Sequence, residues 1–479
     1  MIVLNARDRH LVGRFSYGVT PALATDVRHA GGAAAWFERQ LTPARVTDRT
    51  ADRIRGWWPS LDRGPANLWR RQVTDVEGGW EVMADYQRWV LLRRIHSRRQ
   101  VHEMMTELWE HHFNVPVNGD AQFTWRADYG NVIRAHALGR FDHLLQAVIT
   151  HPAMLISLDN VSSTKEFPNE NLGRELLELH TVGRGAYGEK DVKQSARILT
   201  GWTVDMWDTF AAEYDKGRHA RGRVAVMGFK HANASADGRQ VTRDYLHYLA
   251  HHPATARRIA RRIAVKFIRD DPPPAVVSHL ARVYLRSNTD VRPVLRALVE
   301  TRAFRQSTGG KVRDPGEDLV ATYRALGVQI SRPPSGTSGD RYAANQMLWQ
   351  VAGMGVTPFA WPRPDGQPID NASWASPARL IASMDVHQSL AAGWWPTDGA
   401  HYRRPAAWLP RPSVRFDALV DDLSRRILHR PATPLLLTAC AQATGCRAGE
   451  VITAEHGLVR WGMYRLITVL LDSPAHLTR

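Results

Sequence analysis

The stretch P-N-E-N-L-G-R-E-L-L-E-L-H-T-V-G, residues 168–183, combines a helical hydrophobic pattern with a dense set of polar side chains. Asn169 is a helix-start signal, because its side chain accepts a hydrogen bond from the free N–H groups of a first turn. Gly183 is a helix-stop signal, because glycine tolerates the left-handed backbone that follows a last turn. The sequence therefore predicts one helix between these two residues.

Two different stripes share this predicted helix. At 100° per residue, Leu172, Leu176 and Leu179 fall on one side and are expected to pack in the core. His180 points nearly opposite Asn171, which removes it from the polar side. That polar side, next to the leucines, carries Asn171, Arg174, Glu175, Glu178 and Val182.

Helical periodicity also dominates the rest of the chain. Apolar residues recur every three or four positions from Trp80 to Val115, which predicts a long helix. Residues 203–240 show no helical period, and residues 354–378 form a loop rich in Pro and Trp. Strand patterns are nearly absent. The sequence predicts an all-α fold, a large multi-helix globular unit with long irregular loops and little or no β structure.

One Pro-, Ser- and Gly-rich segment, Arg332 to Gly339, is the strongest linker signal in the chain. It divides the sequence into a main helical section, residues 1–330, and a C-terminal section, residues 331–479. The C-terminal section carries the Trp/Pro-rich loop and further helices. We expect the two sections to pack together as one unit.

Composition narrows the choice of partners and compartment. The net charge is +16, but 56 of the 63 basic residues are Arg and they are spread along the chain, so nucleic acid is not expected as a partner. No apolar run approaches the ~20 residues that span a bilayer. The N-terminus lacks the apolar segment and cleavage site of a signal peptide, which favours a cytoplasmic location. The oligomeric state is left open.

Several enzyme classes are set aside by missing motifs. The sequence contains no G-x-S-x-G, Walker A, H-E-x-x-H or C-x-x-C pattern. Serine hydrolase, nucleotide-binding, zinc-protease and thiol-redox chemistry are therefore not indicated. No cofactor is expected.

Six motifs carry a family resemblance. They are R-H-L-V-G-R-F-S-Y-G at 9–18, W-E-H-H-F at 109–113, the 168–183 stretch, D-V-K-Q-S-A-R-I-L-T-G-W at 191–202, H-P-A-T-A-R-R-I-A at 252–260 and L-L-D-S-P at 470–474. Together they resemble the mainly bacterial domain-of-unknown-function family numbered 1800, from about residue 8 to the end. The resemblance implies a mainly helical fold but no settled activity. It also implies that many relatives are exported, often beside sulfatase-like proteins. This sequence has Glu110 where relatives often carry a second His.

The polar side of the 168–183 helix suggests acid/base chemistry. Two carboxylates in different environments, one ionised by a nearby Arg and one raised in pKa by burial, can act as base and acid. We therefore predict Glu175 and Glu178 as catalytic residues, assisted by His112. The predicted substrate-binding residues are Asn169, Asn171 and Arg174. The reaction would be hydrolytic or lyase-type, on a small or polymeric polar substrate such as a polysaccharide.

The alternative is a non-catalytic binding or scaffold protein in which the same cluster is a buried structural network. Arg174 with Glu178, and Asn171 with Glu175, have the i,i+4 spacing of intrahelical pairs. Structure decides between an enclosed cluster and one that lines a cleft.

Three further signals are weaker. Glu107 and His111 stand one helical turn apart, which is compatible with a metal, but no third ligand is marked and metal binding is left unknown. The aromatic residues of the 354–378 loop suit stacking on sugar rings or bases, although pinning the loop to the core is favoured. The basic side chains of residues 257–266 predict a solvated helix face.

Overall fold

Helices dominate the computed structural model, which describes residues 2–334 and 341–479. They hold 58% of the residues, and short two-stranded sheets hold only 6%. The all-α fold class predicted from the sequence is confirmed. Within the described ranges, no helix combines the length and apolar character that crossing a membrane requires.

Ten α-helices occupy the described part of the N-terminal third of the chain. They are α1 (Ala6–Arg14), α2 (Pro21–His29), α3 (Ala33–Gln40), α4 (Arg49–Ile54), α5 (Pro65–Val73), α6 (Gly79–His96), α7 (Gln100–His112), α8 (Phe123–His136), α9 (Phe141–Ile149) and α10 (Pro152–Ser157).

The middle third contains the opening stretch of the sequence analysis. Its helices are α11 (Glu170–Glu175), continued by a π turn (Leu176–His180), then α12 (Glu189–Leu199), α13 (Arg239–His251), α14 (Pro253–Phe267), α15 (Pro274–Arg286), α16 (Val291–Glu300), α17 (Arg302–Arg305) and α18 (Pro315–Leu326). Between α12 and α13, the non-helical segment forms two antiparallel hairpins: β1 (Trp202–Val204) with β2 (Ala212–Tyr214), and β3 (Val224–Val226) with β4 (Phe229–His231).

The C-terminal section continues the helical pattern. Its elements are α19 (Ala343–Gly353), α20 (Pro377–Ala392), α21 (Phe416–Ile427), α22 (Pro434–Thr444), α23 (Met463–Leu471) and α24 (Pro474–Leu477). Two more antiparallel pairs join β5 (Gln329–Ile330) to β6 (Ala400–His401), and β7 (Ser413–Arg415) to β8 (Val451–Thr453).

The sections on either side of residue 330 are in contact. The β5–β6 pair links them, and Asp318 of α18 forms ion pairs with Arg379 and His387 of α20. The boundary at residues 330/331 stays a prediction, because most of the predicted linker, residues 335–339 of 332–339, lies outside the described residues.

The predicted continuous helix from Trp80 to Val115 is wrong in one respect, because α6 and α7 are separate. Ser97 has an extended backbone between them, with ψ of 136°. The buried Asp48 carboxylate accepts hydrogen bonds from the Ser97 hydroxyl and from the Arg98 N–H. A contact from residue 48 therefore interrupts a helix whose hydrophobic period continues across the break.

The core is centred on α7, which is buried on every side. Its three inner carboxylates, Glu103, Glu107 and Glu110, are each only 1% exposed. A buried charge is tolerated when it is paired, and each of these is. Glu103 pairs with Arg93 and Arg134, Glu107 with Arg94 and Lys266, and Glu110 with Arg126. Ion pairs as well as apolar contacts therefore hold neighbouring helices against α7.

Candidate functional site

The 168–183 stretch starts and ends where its capping residues predict. The Asn169 side chain accepts a hydrogen bond from the Asn171 N–H at 2.9 Å, and Gly183 has a φ of +89°. Between them the helix changes from α11 to the π turn. Such wide turns are frequent at functional sites.

The π turn alters which side chains face inward. Leu172 and Leu176 are buried as predicted, but Leu177 takes the third core position and Leu179 is partly exposed. His180, which the sequence removed from the polar side, is fully buried. A wider turn rotates each later residue less than 100°, so the side assigned from ideal α-helical spacing drifts after residue 176.

Glu178 is the most strongly hydrogen-bonded carboxylate of the cluster. The Tyr187 hydroxyl donates to its Oε2 at 2.6 Å, and Arg184 Nε donates to its Oε1 at 2.5 Å. These two hydrogen bonds hold the pKa of Glu178 below its usual value. Glu178 is therefore an ionised carboxylate with a fixed orientation.

Glu175, one turn earlier, is in the opposite situation. It is partly buried and forms no hydrogen bond or ion pair with another described residue. Burial, followed by the nearby charge of Glu178, raises its pKa, and the charge of Asp365 adds to the effect. The pKa of Glu175 is thus shifted upward, while the pKa of Glu178, three residues on, is shifted downward.

Arg174 and the two asparagines have partners outside the predicted intrahelical pairs. Arg174 makes a two-pronged ion pair with Glu189, with both N–O distances at 2.7 Å, and a longer contact with Glu170 at 3.4 Å. The side-chain amide of Asn171 donates to Asp159 at 3.4 Å. Asn169 caps the helix. The cluster lies at the protein surface, since the Arg174 side chain is 34% exposed.

His112 lies with His180 rather than with the two glutamates. His112 Nε2 lies 3.0 Å from the His180 carbonyl oxygen, and His180 Nδ1 lies 3.0 Å from the His112 carbonyl oxygen. Both rings are buried against Phe113, and Phe141 also packs on the His112 ring. Burial holds the pKa of both histidines well below the usual range, so both are neutral. The reciprocal pair fastens α7 to the π turn.

The Pro- and Trp-rich loop lies beside this surface. Its Phe359 is buried and its Gly366 backbone lies directly on α7, where an added Cβ would meet the His111 carbonyl oxygen at 1.8 Å. Trp361 stays partly exposed and its ring N–H donates to Asp365 at 3.1 Å. The loop is pinned through Phe359, while Trp361 and Asp365 remain at the surface.

Helix α14 contributes cations that the sequence placed on a solvated face. Lys266 is instead buried and paired with Glu107 and Glu317, which corrects that expectation. Arg262 and Arg258, one and two turns earlier, are partly buried. Arg258 Nε donates to the Leu179 carbonyl oxygen at 3.0 Å, so α14 packs against the π turn.

Sequence reasoning missed five residues at this surface. Each lies far from Glu178 in sequence or beyond the turn at Gly183, and only the fold brings them in: Arg184, Tyr187, Glu189, Arg258 and Asp365. The four-residue repeat of Arg258, Arg262 and Lys266 places these three cations on one side of α14, but the exposed Arg257 and Arg261 have the same spacing, so spacing alone could not identify the inward row.

Four clusters of His, Cys and carboxylate side chains in the described chain have metal-ligand proximity. None of them includes Glu175 or Glu178. They are Asp142 with His247 and His251, Asp318 with His387 and His476, Cys446 with Glu450 and His456, and Glu107 with Asp314 and Glu317. The Glu107–His111 pair contributes only Glu107, whose carboxylate is held by Lys266 and Arg94.

Comparison with known families gives one match, which covers nearly the whole chain. A family model described as protein of unknown function (DUF1800) matches residues 10–478, and the chain belongs to this family. No curated protein and no solved structure matches it.

Proposed function

We propose that this DUF1800 member is an acid/base enzyme whose reaction is hydrolytic or lyase-type and whose substrate is polar, with polysaccharides as the leading class. The observation that carries the proposal is the opposite pKa shift of Glu175 and Glu178 on one partly exposed turn. Glu175 would donate a proton to the leaving group, and Glu178 would act as the ionised partner.

The surroundings support this division of roles. Glu175 has no partner to neutralise it, so its carboxyl group is free to exchange a proton with a bound substrate. Tyr187 and Arg184 keep Glu178 ionised and oriented. Trp361 offers an aromatic face next to Asp365, on which the apolar side of a sugar ring can stack.

The other predicted residues take narrower roles. Arg174 could orient the substrate only if its ion pair with Glu189 were broken or shared with the substrate. Asn171, in the first turn of α11, would contribute a further hydrogen bond to the substrate. Asn169 would act through the helix cap. His112 would act on the site indirectly, since its contact is with His180.

The proposal is tested by an activity screen against neutral, carboxylated, sulfated and phosphorylated glycans. We expect Glu175→Gln and Glu178→Gln each to lower the rate by about 10²–10⁴-fold, the usual contribution of general acid–base catalysis. The matched control is Glu166→Gln, an exposed carboxylate on the loop before α11, which should leave the rate unchanged. Equal rates for all four proteins on a turned-over substrate would refute the roles of Glu175 and Glu178.

A binding or scaffold protein is the second candidate, and one observation favours it. The ion pairs of Arg174 with Glu189 and of Glu178 with Arg184 satisfy most of the cluster internally. In that case Glu178→Gln would reduce thermal stability and no glycan would be turned over. In the enzyme case Glu175→Gln should leave the melting temperature unchanged or slightly higher, because it removes an unpaired, partly buried carboxyl group.

A further inference from the structure

Two arginines on the inner face of α14 lack the partners that their neighbour has. Arg258, Arg262 and Lys266 are spaced four residues apart and point to the same side. Lys266 donates to Glu107 at 3.1 Å and to Glu317 at 2.7 Å. Neither Arg258 nor Arg262 forms an ion pair with any carboxylate in the described chain.

Arg262 is the more exceptional of the two. Its Nε and Nη2 atoms are buried and donate to no described acceptor, although the side chain as a whole keeps partial exposure. Burying a cation without a partner is costly, and proteins normally supply a counter-charge. The carboxylate whose charge acts on Arg262 is that of Asp365. Asp365 already accepts a hydrogen bond from Trp361 and pairs with Arg363.

The position of this charge is next to the proposed acid/base pair. Arg258 contacts the Leu179 carbonyl oxygen, and the charge of Glu178 acts on Arg258. The charge of Arg262 acts on the buried His180, and Asp365 acts on both Arg262 and Glu175. The Arg258 guanidinium group therefore lies against the π turn, and the charge of Arg262, one turn along α14, acts on His180 of that turn and is acted on by Asp365 of the Pro/Trp loop.

A glycine keeps this position open. A Cβ at Gly183 would approach Arg258 Nη1 to 3.1 Å, and the residue has a φ of +89°. Any other residue there would strain the backbone and crowd the guanidinium group. The end of the π turn thus leaves room for Arg258 beside it.

We infer that Arg258 and Arg262 form a binding site for an oxyanion, a carboxylate, sulfate or phosphate group. A guanidinium fork matches such a group with two parallel N–H bonds. The inference that the anion belongs to the substrate rests on the proposed function. The anion site itself does not, because it requires only the unpaired cations.

Anion binding is measured on the full chain by calorimetry and thermal shift with inorganic phosphate, sulfate and acetate, with chloride holding the ionic strength constant. We expect saturable binding of at least one oxyanion and a concentration-dependent rise in melting temperature. Arg262→Met should weaken binding by roughly ten- to hundredfold, the range for a hydrogen bond to a charged group. Arg258→Met should weaken it in the same direction.

Two exposed arginines of the same helix are matched controls, since Arg257→Met and Arg261→Met alter the charge equally without touching the inner face. Arg262→Met should also fold without loss of stability in chloride, because it removes an uncompensated charge. Arg262→Lys, which keeps the charge but loses the fork, provides a second variant. Absence of saturable binding, or equal weakening by Arg261→Met, would overturn the proposal.

The outcomes also separate this site from the acid/base proposal. Oxyanion binding by Glu175→Gln together with failure of every substrate in the screen would leave the anion site standing and count against the enzyme. Turnover that depends on Glu175 but is indifferent to Arg262→Met, with oxyanion binding intact, would refute only the inference that the anion belongs to the substrate.

Discussion

Removing the carboxylate of Glu110 should destabilise the core strongly. Glu110 accepts hydrogen bonds from Arg126 at 2.6 Å and from the Tyr86 hydroxyl at 2.8 Å, and the side chains of Glu110 and Arg126 are 1% and 0% exposed. Glu110→Gln keeps the shape but removes the charge. Arg126 would then be a buried cation without a counter-charge, with only neutral acceptors, the Val115 carbonyl oxygen and the new amide oxygen.

Breaking a buried ion pair from one side typically costs about 3–5 kcal/mol. The rings of Tyr86 and Phe359, 4.9 Å and 4.7 Å from the Arg126 guanidinium carbon, offset part of the loss, which places the expected value near the lower end. Urea unfolding followed by circular dichroism measures it as a shift of the midpoint at unchanged slope.

Two further variants make this measurement decisive. Glu38→Gln removes a carboxylate from the exposed pair with Arg296 and should change the unfolding free energy by no more than about 0.5 kcal/mol. Glu110→Gln combined with Arg126→Met should cost less than the sum of the single variants, because it removes both charges. A loss below about 1 kcal/mol for Glu110→Gln would refute the view that this pair holds α7 to α8.

Two other perturbations follow from particular contacts. His387 lies between Asp472 at 2.8 Å and Asp318 at 3.2 Å, and these interactions outweigh its burial and raise its pKa from 6.5 to about 9. The protonated His387 therefore stabilises the folded protein by about 3 kcal/mol below pH 6.5, and this contribution is lost as the pH rises through 9. The urea midpoint should fall over that pH range. In His387→Gln the fall should be smaller. Gly366→Ala should destabilise the protein by well over 1 kcal/mol, because the new Cβ meets the His111 carbonyl oxygen. Gly185→Ala has the same positive φ but open space around its Cβ, so a urea midpoint equal to that of Gly366→Ala would contradict this reasoning.

Local signals were enough to predict the helix ends at the candidate site. Asn169 caps α11 and Gly183 follows the last turn, because both effects depend only on neighbouring residues. The π turn depends on packing around it and is invisible to a fixed angle of 100° per residue. Leu177 rather than Leu179 therefore fills the core, and His180 turns inward.

The ion-pair and hydrogen-bond partners of the polar side chains could not be predicted from the sequence. The spacing of Arg174 and Glu178 suggested an ion pair, but the chain folds back after Gly183 and supplies Glu189 to Arg174 and Tyr187 to Glu178. An ion pair between residues of the same helix at i,i+4 spacing contributes only ~0.2–0.5 kcal/mol. A partner that the chain reversal brings close can therefore replace it.

The same limit explains Lys266. Its helix has a strongly basic side, which at the level of one helix favours solvent. Glu107 of α7 and Glu317 of α18 are 159 and 51 residues away in sequence, and together they make a buried position favourable for the ammonium group. Ion pairing with carboxylates of two other helices therefore determines the burial of Lys266, which the hydrophobic pattern of α14 alone predicts incorrectly.

The central claim, that the pKa of Glu175 is raised and that of Glu178 is lowered, is tested most directly by NMR titration of their side-chain carboxyl carbons in ¹³C-glutamate-labelled protein. The Glu175→Gln and Glu178→Gln variants assign the two signals. We predict that Glu175 titrates above the ordinary glutamate pKa and Glu178 below it. Glu178→Gln should lower the pKa of Glu175, because the charge of Glu178 raises it, without abolishing the contribution of burial. Coincident titrations at the ordinary value, or the reverse order, would contradict the assignment of acid and base.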